Sequence, residues 1–451
     1  MRVGFQTFGC RSNHADTVDL QAALVEKGAI PCEEDYEVLV VNTCSVTDQA
    51  DNEAYRFIRK VKKNFPNTKI VVTGCLAELE PKKLAELTEV DAVVGPGRKS
   101  EVLSAIYSKE ISENKAPFAP QEYRPERKSI SLNEPMSEAL TGPGSSLGEI
   151  HQRARYHLRI QEGCENSCTF CIIPHTRGHL SSRPMELILE DVMKVAMTGY
   201  NEIVITGTHI GGYGEDCGSS LLELLKAIKE LNAGPRIRLS SIDPNDLSPE
   251  LLDFFAKNQD LFCPHLHICV QAFSDRTLKR MNRRYRLADV EKIVFYITDK
   301  VPGICLGTDV IAGFPGESRQ ELDQGVEEFL RLPFSYLHVF PYSERSGTAA
   351  TRLDGSVLPA ERKRRAARWR SIGDRKKELF YSSLISKNLK VIVERVEGEN
   401  AFGTSAEYVS TQVQLTPGAN APKLGELVSV IANNIATEEK RLICQLSSQV
   451  S

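Results

Sequence analysis

The 451-residue sequence predicts an α/β protein in three parts. These are an N-terminal doubly wound parallel sheet, a central partial (βα)6 barrel and a small antiparallel β-barrel at the C-terminus. Three observations predict this. Apolar strands alternate with helical stretches over residues 1–107 and again over 151–358, which implies parallel pairing and right-handed crossovers. Cysteines recur directly after predicted strands. Beyond residue 378 the strands continue without matching helices.

In the first part, strands are expected at 3–8, 38–43, 69–74 and 91–95, with helices around 15–27, 49–64 and 80–88. Residues 108–150, rich in Pro, Gly, Ser and charge, read as a linker. Six barrel strands follow, at 156–161, 202–208, 236–242, 266–271, 304–313 and 336–342, and six βα units suit a partial barrel. Residues 359–377 form a basic connecting helix with nine Lys/Arg against two acidic residues. In 378–451, LKVIVERVEG, AEYVSTQVQL, ELVSVIAN and KRLICQL are short alternating strands that close a β-barrel.

Composition bounds the function. Hydrophobic residues make up 41% and charged residues 26%, which excludes a disordered chain, a collagen and a disulfide scaffold. The net charge of −4 confines any basic surface to a local patch. No apolar run approaches the roughly 20 residues that span a bilayer. The opening MRVGFQTFGC lacks a secretory signal. A soluble cytoplasmic protein without a membrane partner is expected. In a reducing compartment, clustered members of the twelve cysteines act as metal ligands or catalysts rather than disulfides.

The central run QEGCENSCTFCIIPHTRG (161–178) places Cys164, Cys168 and Cys171 on one loop after the first barrel strand, where barrel chemistry resides. Three thiolates hold three irons of a [4Fe–4S] cluster and leave the fourth open to a small molecule. A Cys3His zinc site completed by His175 is the alternative; core packing fits a polar Glu–Asn–Ser loop less well. In the first domain, Cys10, Cys44 and Cys75 each follow a strand. Parallel strands end along one sheet edge, the edge where such sheets bind ligands, so the three converge on a second site. Three independent buried thiols are the alternative there. Cys269, Cys305 and Cys444 lie within apolar strands and read as core.

The Cys-x3-Cys-x2-Cys loop and six-unit barrel resemble the radical S-adenosylmethionine superfamily. With the N-terminal triad, the chain is similar to its methylthiotransferase branch. The resemblance rests on GCRSN (9–13), NTCSV (42–46), GCLAE (74–78), RLSSIDP (238–244), LKRMNRRY (278–285), DVIAGFPGES (309–318) and HVFPYSERSGT (338–348). FGTSAEYVSTQV (402–413) resembles the terminal RNA-binding β-domain called TRAM. Two positions depart from the family pattern. His175 stands where Tyr or Phe is usual, and Gln271-Ala272-Phe273-Ser274 replaces Gln-Ser-Gly-Ser.

The resemblance implies two [4Fe–4S] clusters, one on each triad, and two S-adenosylmethionine molecules per turnover. One methylates a sulfur at the N-terminal cluster; the other yields a 5′-deoxyadenosyl radical at the central one. It also implies a low-potential one-electron donor. Gly207, Thr208, Gln271 and Gly313, at strand ends, are the candidate contacts to S-adenosylmethionine. The substrate implied is adenosine-37 in the anticodon loop of tRNA, carrying N6-threonylcarbamoyl (t6A), with methylthio added at C2. Isopentenyladenosine-37 and a ribosomal-protein aspartate are the alternatives within the family. Arg283, Arg284, Arg364, Arg365 and Arg368 are the basic residues expected at the RNA. Trp369, among them, reads as packing the helix onto the barrel. A different class, a non-catalytic zinc protein that binds RNA, explains the basic helix but not two cysteine triads at strand ends.

Overall fold

The computed structural model describes residues 1–108, 132, 153–416 and 420–447. The linker expected over 108–150 lies, but for two residues, outside them. The N-terminal sheet runs in the order β2-β1-β3-β4-β5 and is parallel throughout. Its strands are β1 (Arg2–Thr7), β2 (Ile30–Pro31), β3 (Val38–Thr43), β4 (Lys69–Gly74) and β5 (Ala92–Val93). The two-residue edge strand β2 is an addition to the expected set, too short to carry a period. Val38–Val41 and Ile70–Val72 are buried on both faces, as central strands of a doubly covered sheet must be.

The barrel comprises β6 (Tyr156–Glu162), β7 (Ser181–Ser182), β8 (Glu202–Gly207), β9 (Arg236–Leu239), β10 (Ser241–Ile242), β11 (His265–Gln271), β12 (Cys305–Ala312) and β13 (Tyr336–Pro341). It forms two arcs, β7-β6-β8-β9 and β10-β11-β12-β13, adjoining through Ser240. All pairs are parallel except the short β6–β7 return. Leu158, Ile160, Ile203, Ile205, Leu266, Ile268 and Val270 join the apolar core. The alternate residues, His157, Arg159, Gln161, Arg238, His265, His267, Cys269, Asp309 and Tyr336, belong to the opposite strand face. The first helix, Arg11–Glu26, packs against β6 and β8, and Arg159 pairs there with Asp16 and Asp19.

The basic helix runs Pro359–Ser382, five residues beyond the expected end, and lies across β12 and β13. Trp369 is 1% exposed, with its ring 5.7 Å from that of Phe273 and 5.9 Å from that of Phe329. This accounts for the aromatic residue at position 273. Its side chain fills the core beneath the helix, beside Phe334, rather than entering the strand-end edge.

The C-terminal strands are β14 (Asn388–Glu397), β15 (Asn400–Ser405), β16 (Ser410–Gln414), β17 (Leu427–Ala436) and β18 (Arg441–Leu446). They close as β14-β15-β16-β18-β17. The barrel is not wholly antiparallel: β16 and β18 pair in parallel. Strand β15 was hidden because ENAFGTS has a central glycine and no apolar alternation. The loop after β15 enters the foot of the large barrel. Arg238 donates to the carbonyls of Ser405 and Ala406 at 3.0 Å each, and Tyr408 stacks on His265 at 4.4 Å. Among the described residues no helix is long and apolar enough to cross a membrane.

Candidate active site

Cys10 caps the first helix after β1, Cys44 directly follows β3, and Cys75 opens a short helix directly after β4. Thr43 and Gly74 are register partners, so Cys44 and Cys75 leave adjacent strands at the same level. Gly9, at φ +99°, brings Cys10 in: a Cβ there would stand 2.7 Å from Cys44 Sγ. No side chain fits that gap. Gly9→Ala is therefore expected to lower iron bound at this triad while leaving the central site loaded, as an iron assay on the anaerobically reconstituted variant would show.

Cys44 and Cys75 are buried and Cys10 is exposed. Burial pushes the Cys44 thiol up to about 12, and the neighbouring Cys75 and Cys10 add to the shift. Burial also raises Cys75, against the opposing pull of Arg177. Such thiols are protonated at neutral pH and serve poorly as free nucleophiles, whereas a bound metal displaces the proton.

Arg177 is 1% exposed and joins the two halves of the molecule. Its guanidinium donates to Asn13 Oδ1 at 2.5 Å and Glu162 Oε2 at 3.0 Å, and pairs with Asp16 at 2.9 Å. Its charge also acts on Cys75 beside it. The N-terminal triad thus abuts the Arg177 end of the central cysteine segment.

In that segment Gly163, at φ +69°, turns the chain off β6 where a Cβ would meet Gly178 O at 2.8 Å. Cys164 is buried, and Cys168 and Cys171 are half-buried. Burial raises Cys168 and pushes Cys171 up to about 12. Arg283 Nη1 donates to Cys168 Sγ at 3.1 Å. His209 lies beside Cys164 and bonds Asp246 Oδ2 at 2.8 Å. Burial opposes its charge, but Asp246 and Cys164 outweigh burial and push its pKa up to about 10. Cationic groups therefore stand at both triads, where they offset thiolate charge.

The donor set fits an iron–sulfur cluster better than one zinc ion. Tetrahedral zinc draws thiolates to about 3.8 Å of one another. Among the described residues, neither triad, nor the central one with His175, has ligand atoms mutually within 4.8 Å.

Comparison with known proteins decides the family. The model described as "Uncharacterized protein family UPF0004" matches residues 2–95, and that of the Radical SAM superfamily matches 158–329. A threonylcarbamoyladenosine tRNA methylthiotransferase of Aquifex aeolicus is 34% identical over 87% of this chain and 93% of its own length. One of Bacillus subtilis is 33% identical over 95% and 93%. The chain belongs to the radical S-adenosylmethionine methylthiotransferases. A tRNA-2-methylthio-N(6)-dimethylallyladenosine synthase of Thermodesulfovibrio yellowstonii is 29% identical over 95% of each chain. Among solved structures, the radical S-adenosylmethionine methyltransferase TsrM of Kitasatospora setae aligns with TM-score 0.55 over 76% of this chain and 74% of its own, at 16% identity. It shares the fold.

As a radical enzyme of this superfamily, the methylthiotransferase uses a [4Fe–4S] cluster and S-adenosylmethionine. The expected cofactor residues all stand at carboxyl ends of barrel strands. Gly207 ends β8, packed against the Gln161 carbonyl, and Thr208 Oγ1 donates to Gly163 O at 2.6 Å, bracing the cysteine loop. Gln271 ends β11 in a left-handed conformation, φ +68°, at a break in register. That conformation is costly for a non-glycine residue and persists only where the surrounding structure holds it. Gly313 differs: the space of its missing side chain is taken by Arg362, with Cγ at 2.8 Å, so its glycine serves helix packing.

The expected RNA contacts divide in this methylthiotransferase. Arg284 and Arg364 are exposed, and Arg368 is 44% exposed beside Asp323. Arg365 is 7% exposed and bonded to Glu317 Oε2 at 2.8 Å, and Arg283 is 7% exposed between Asp243, Cys168 and the Cys269 carbonyl. Both are corrected from surface contacts to internal ties. Cys269 is also corrected: it faces the barrel interior, half-buried, beside Asp309. Arg177 stands inside the 161–178 run and His209 directly after the second barrel strand, but nothing in the residue type declares the role of either.

Proposed function

We propose that this methylthiotransferase adds a methylthio group to C2 of t6A at position 37 of tRNA. The observation that carries the reading is similarity, over 87–95% of this chain, to relatives named for threonylcarbamoyladenosine, at 33–34% identity, against 29% for the dimethylallyladenosine relative. Cys10, Cys44 and Cys75 hold a second [4Fe–4S] cluster, and two S-adenosylmethionine molecules are consumed per product. When bound, the clusters would supply the electron for sulfonium cleavage and the site of the sulfur that S-adenosylmethionine methylates, chemistry suited to a C–H bond that a base cannot activate.

The protein's own residues do the rest. The central cysteine loop, braced by Thr208 and Arg283, holds its open position at the strand ends. Gly207 and Gln271 border the space for S-adenosylmethionine, and Arg177 keeps the N-terminal edge against that loop. A low-potential one-electron donor meets the protein at its surface. The anticodon loop lies over Arg284, Arg364, Arg368 and the C-terminal barrel, and presents adenosine-37 out of its stack.

Mass spectrometry of tRNA nucleosides tests the substrate. A strain lacking this gene is expected to retain t6A and to lose its 2-methylthio derivative. Loss of 2-methylthio-isopentenyladenosine instead assigns the other adenosine. The RNA surface is tested by salt dependence. Arg364→Ala and Arg368→Ala should each lower the slope of log affinity against log salt by about 1. Arg365→Ala should leave the slope unchanged, because its guanidinium is held inside the protein.

A further inference from the structure

We propose that His267, Asp309 and His338 form a site for one divalent first-row transition ion, separate from both cysteine triads. The three residues come from adjacent parallel strands, β11, β12 and β13, with Asp309 and His338 as register partners. Their ligand atoms all lie within 4.8 Å of one another. Two imidazoles and one carboxylate are a donor set for iron(II) and its neighbours, with positions left open.

The imidazoles are disposed as metal-binding histidines are. His267 is 5% exposed, and its Nε2 is buried without a hydrogen-bond partner. That nitrogen stands 3.0 Å from Asp309 Oδ1, an ion pair when the ring is charged and a pair of facing ligand atoms when it is neutral. His338 Nδ1 approaches the same oxygen at 3.4 Å. The other nitrogen of His267 is engaged: Nδ1 meets the Tyr336 hydroxyl at 3.0 Å, and that hydroxyl meets His265 Nε2 at 2.8 Å. Metal-bound histidines are oriented in this way, through the ring nitrogen that does not bind the ion.

The open positions are reachable. His338 is half exposed and lines a cavity at the barrel foot with Tyr336, Arg155, Lys377 and Tyr408. Arg155 and Lys377 favour an anionic group as the further ligand. The site uses no residue of either cysteine loop.

The test is cobalt uptake by the cluster-loaded protein, titrated anaerobically with Co2+. The wild type should bind one equivalent beyond its iron, with d–d absorption and no thiolate-to-cobalt charge transfer. Asp309→Asn and His338→Gln should weaken uptake by more than about 100-fold, and Tyr336→Phe by about 10–100-fold. Iron content, unchanged in the variants, shows that they fold. No stoichiometric uptake by the wild type, uptake with thiolate charge transfer, or equal uptake by the Asp309 and His338 variants each overturns the proposal.

Discussion

Replacing Arg177 by alanine should cost about 3–5 kcal/mol of stability, the usual penalty for stranding a buried charge, and strip iron from the N-terminal triad. Glu162 is fully buried, and Arg177 is its cationic partner at 3.0 Å. Without the guanidinium, Glu162 must take up a proton or draw in water. Asn13 Oδ1, Asp16 and Cys75 lose the same partner. Arg177→Lys keeps the charge but not the planar fork, and should fall between. Anaerobic urea unfolding, read on its earliest transition, and an iron count decide the matter. An alanine variant that unfolds at the wild-type midpoint with full iron removes Arg177 from this role.

The second expected result concerns division of labour. The Cys164, Cys168, Cys171 triple alanine variant should keep about half the iron of a protein reconstituted to eight irons, and should release no 5′-deoxyadenosine. The Cys10, Cys44, Cys75 variant should also keep about half. It should still cleave S-adenosylmethionine, yet form no methylthio product. The reason is spatial: the triads sit on separate sheets, and their loops meet through Arg177 rather than through shared cysteines. A folded N-terminal variant that retains the central cluster but gives no 5′-deoxyadenosine would falsify the split.

What was legible in the sequence was whatever repeats locally. A cysteine at the end of each of three strands, directly after β3 and β4 and past Phe8 and Gly9 after β1, pointed to one site for Cys10, Cys44 and Cys75, because parallel strands end on one edge. The six barrel strands were legible by their apolar residues. The roles of the basic residues were not. Along the long helix the buried positions are Arg362, Arg365, Ala366, Trp369, Gly373 and Tyr381, an ordinary helical stripe of which two members are arginine. Polarity masked the stripe, so Arg365 looked like its exposed neighbour Arg364. Arg177 failed for another reason. Its partner Asn13 is 164 residues away, and no local pattern announces a tie of that length. The inner barrel face was similarly hidden, since His265, His267 and Cys269 alternate with Leu266 and Ile268 as a solvent-facing edge would.

The loop that follows β15 changes how the C-terminal barrel is to be regarded. With two carbonyls held by Arg238 and Tyr408 lodged against His265, the module is not an appendage swinging on the long helix. Asn201 donates to Gly425 O at 2.9 Å and Arg236 to Lys390 O at 3.1 Å, which adds two more fastenings. Whatever this module grips, it grips at a set span from the barrel interior, as a ruler does and a tether does not. Exchanging it between relatives by a cut in the helix would carry away part of the barrel's floor. A transplant that respects the architecture has to take the Arg236, Arg238 and His265 sockets along with the loop.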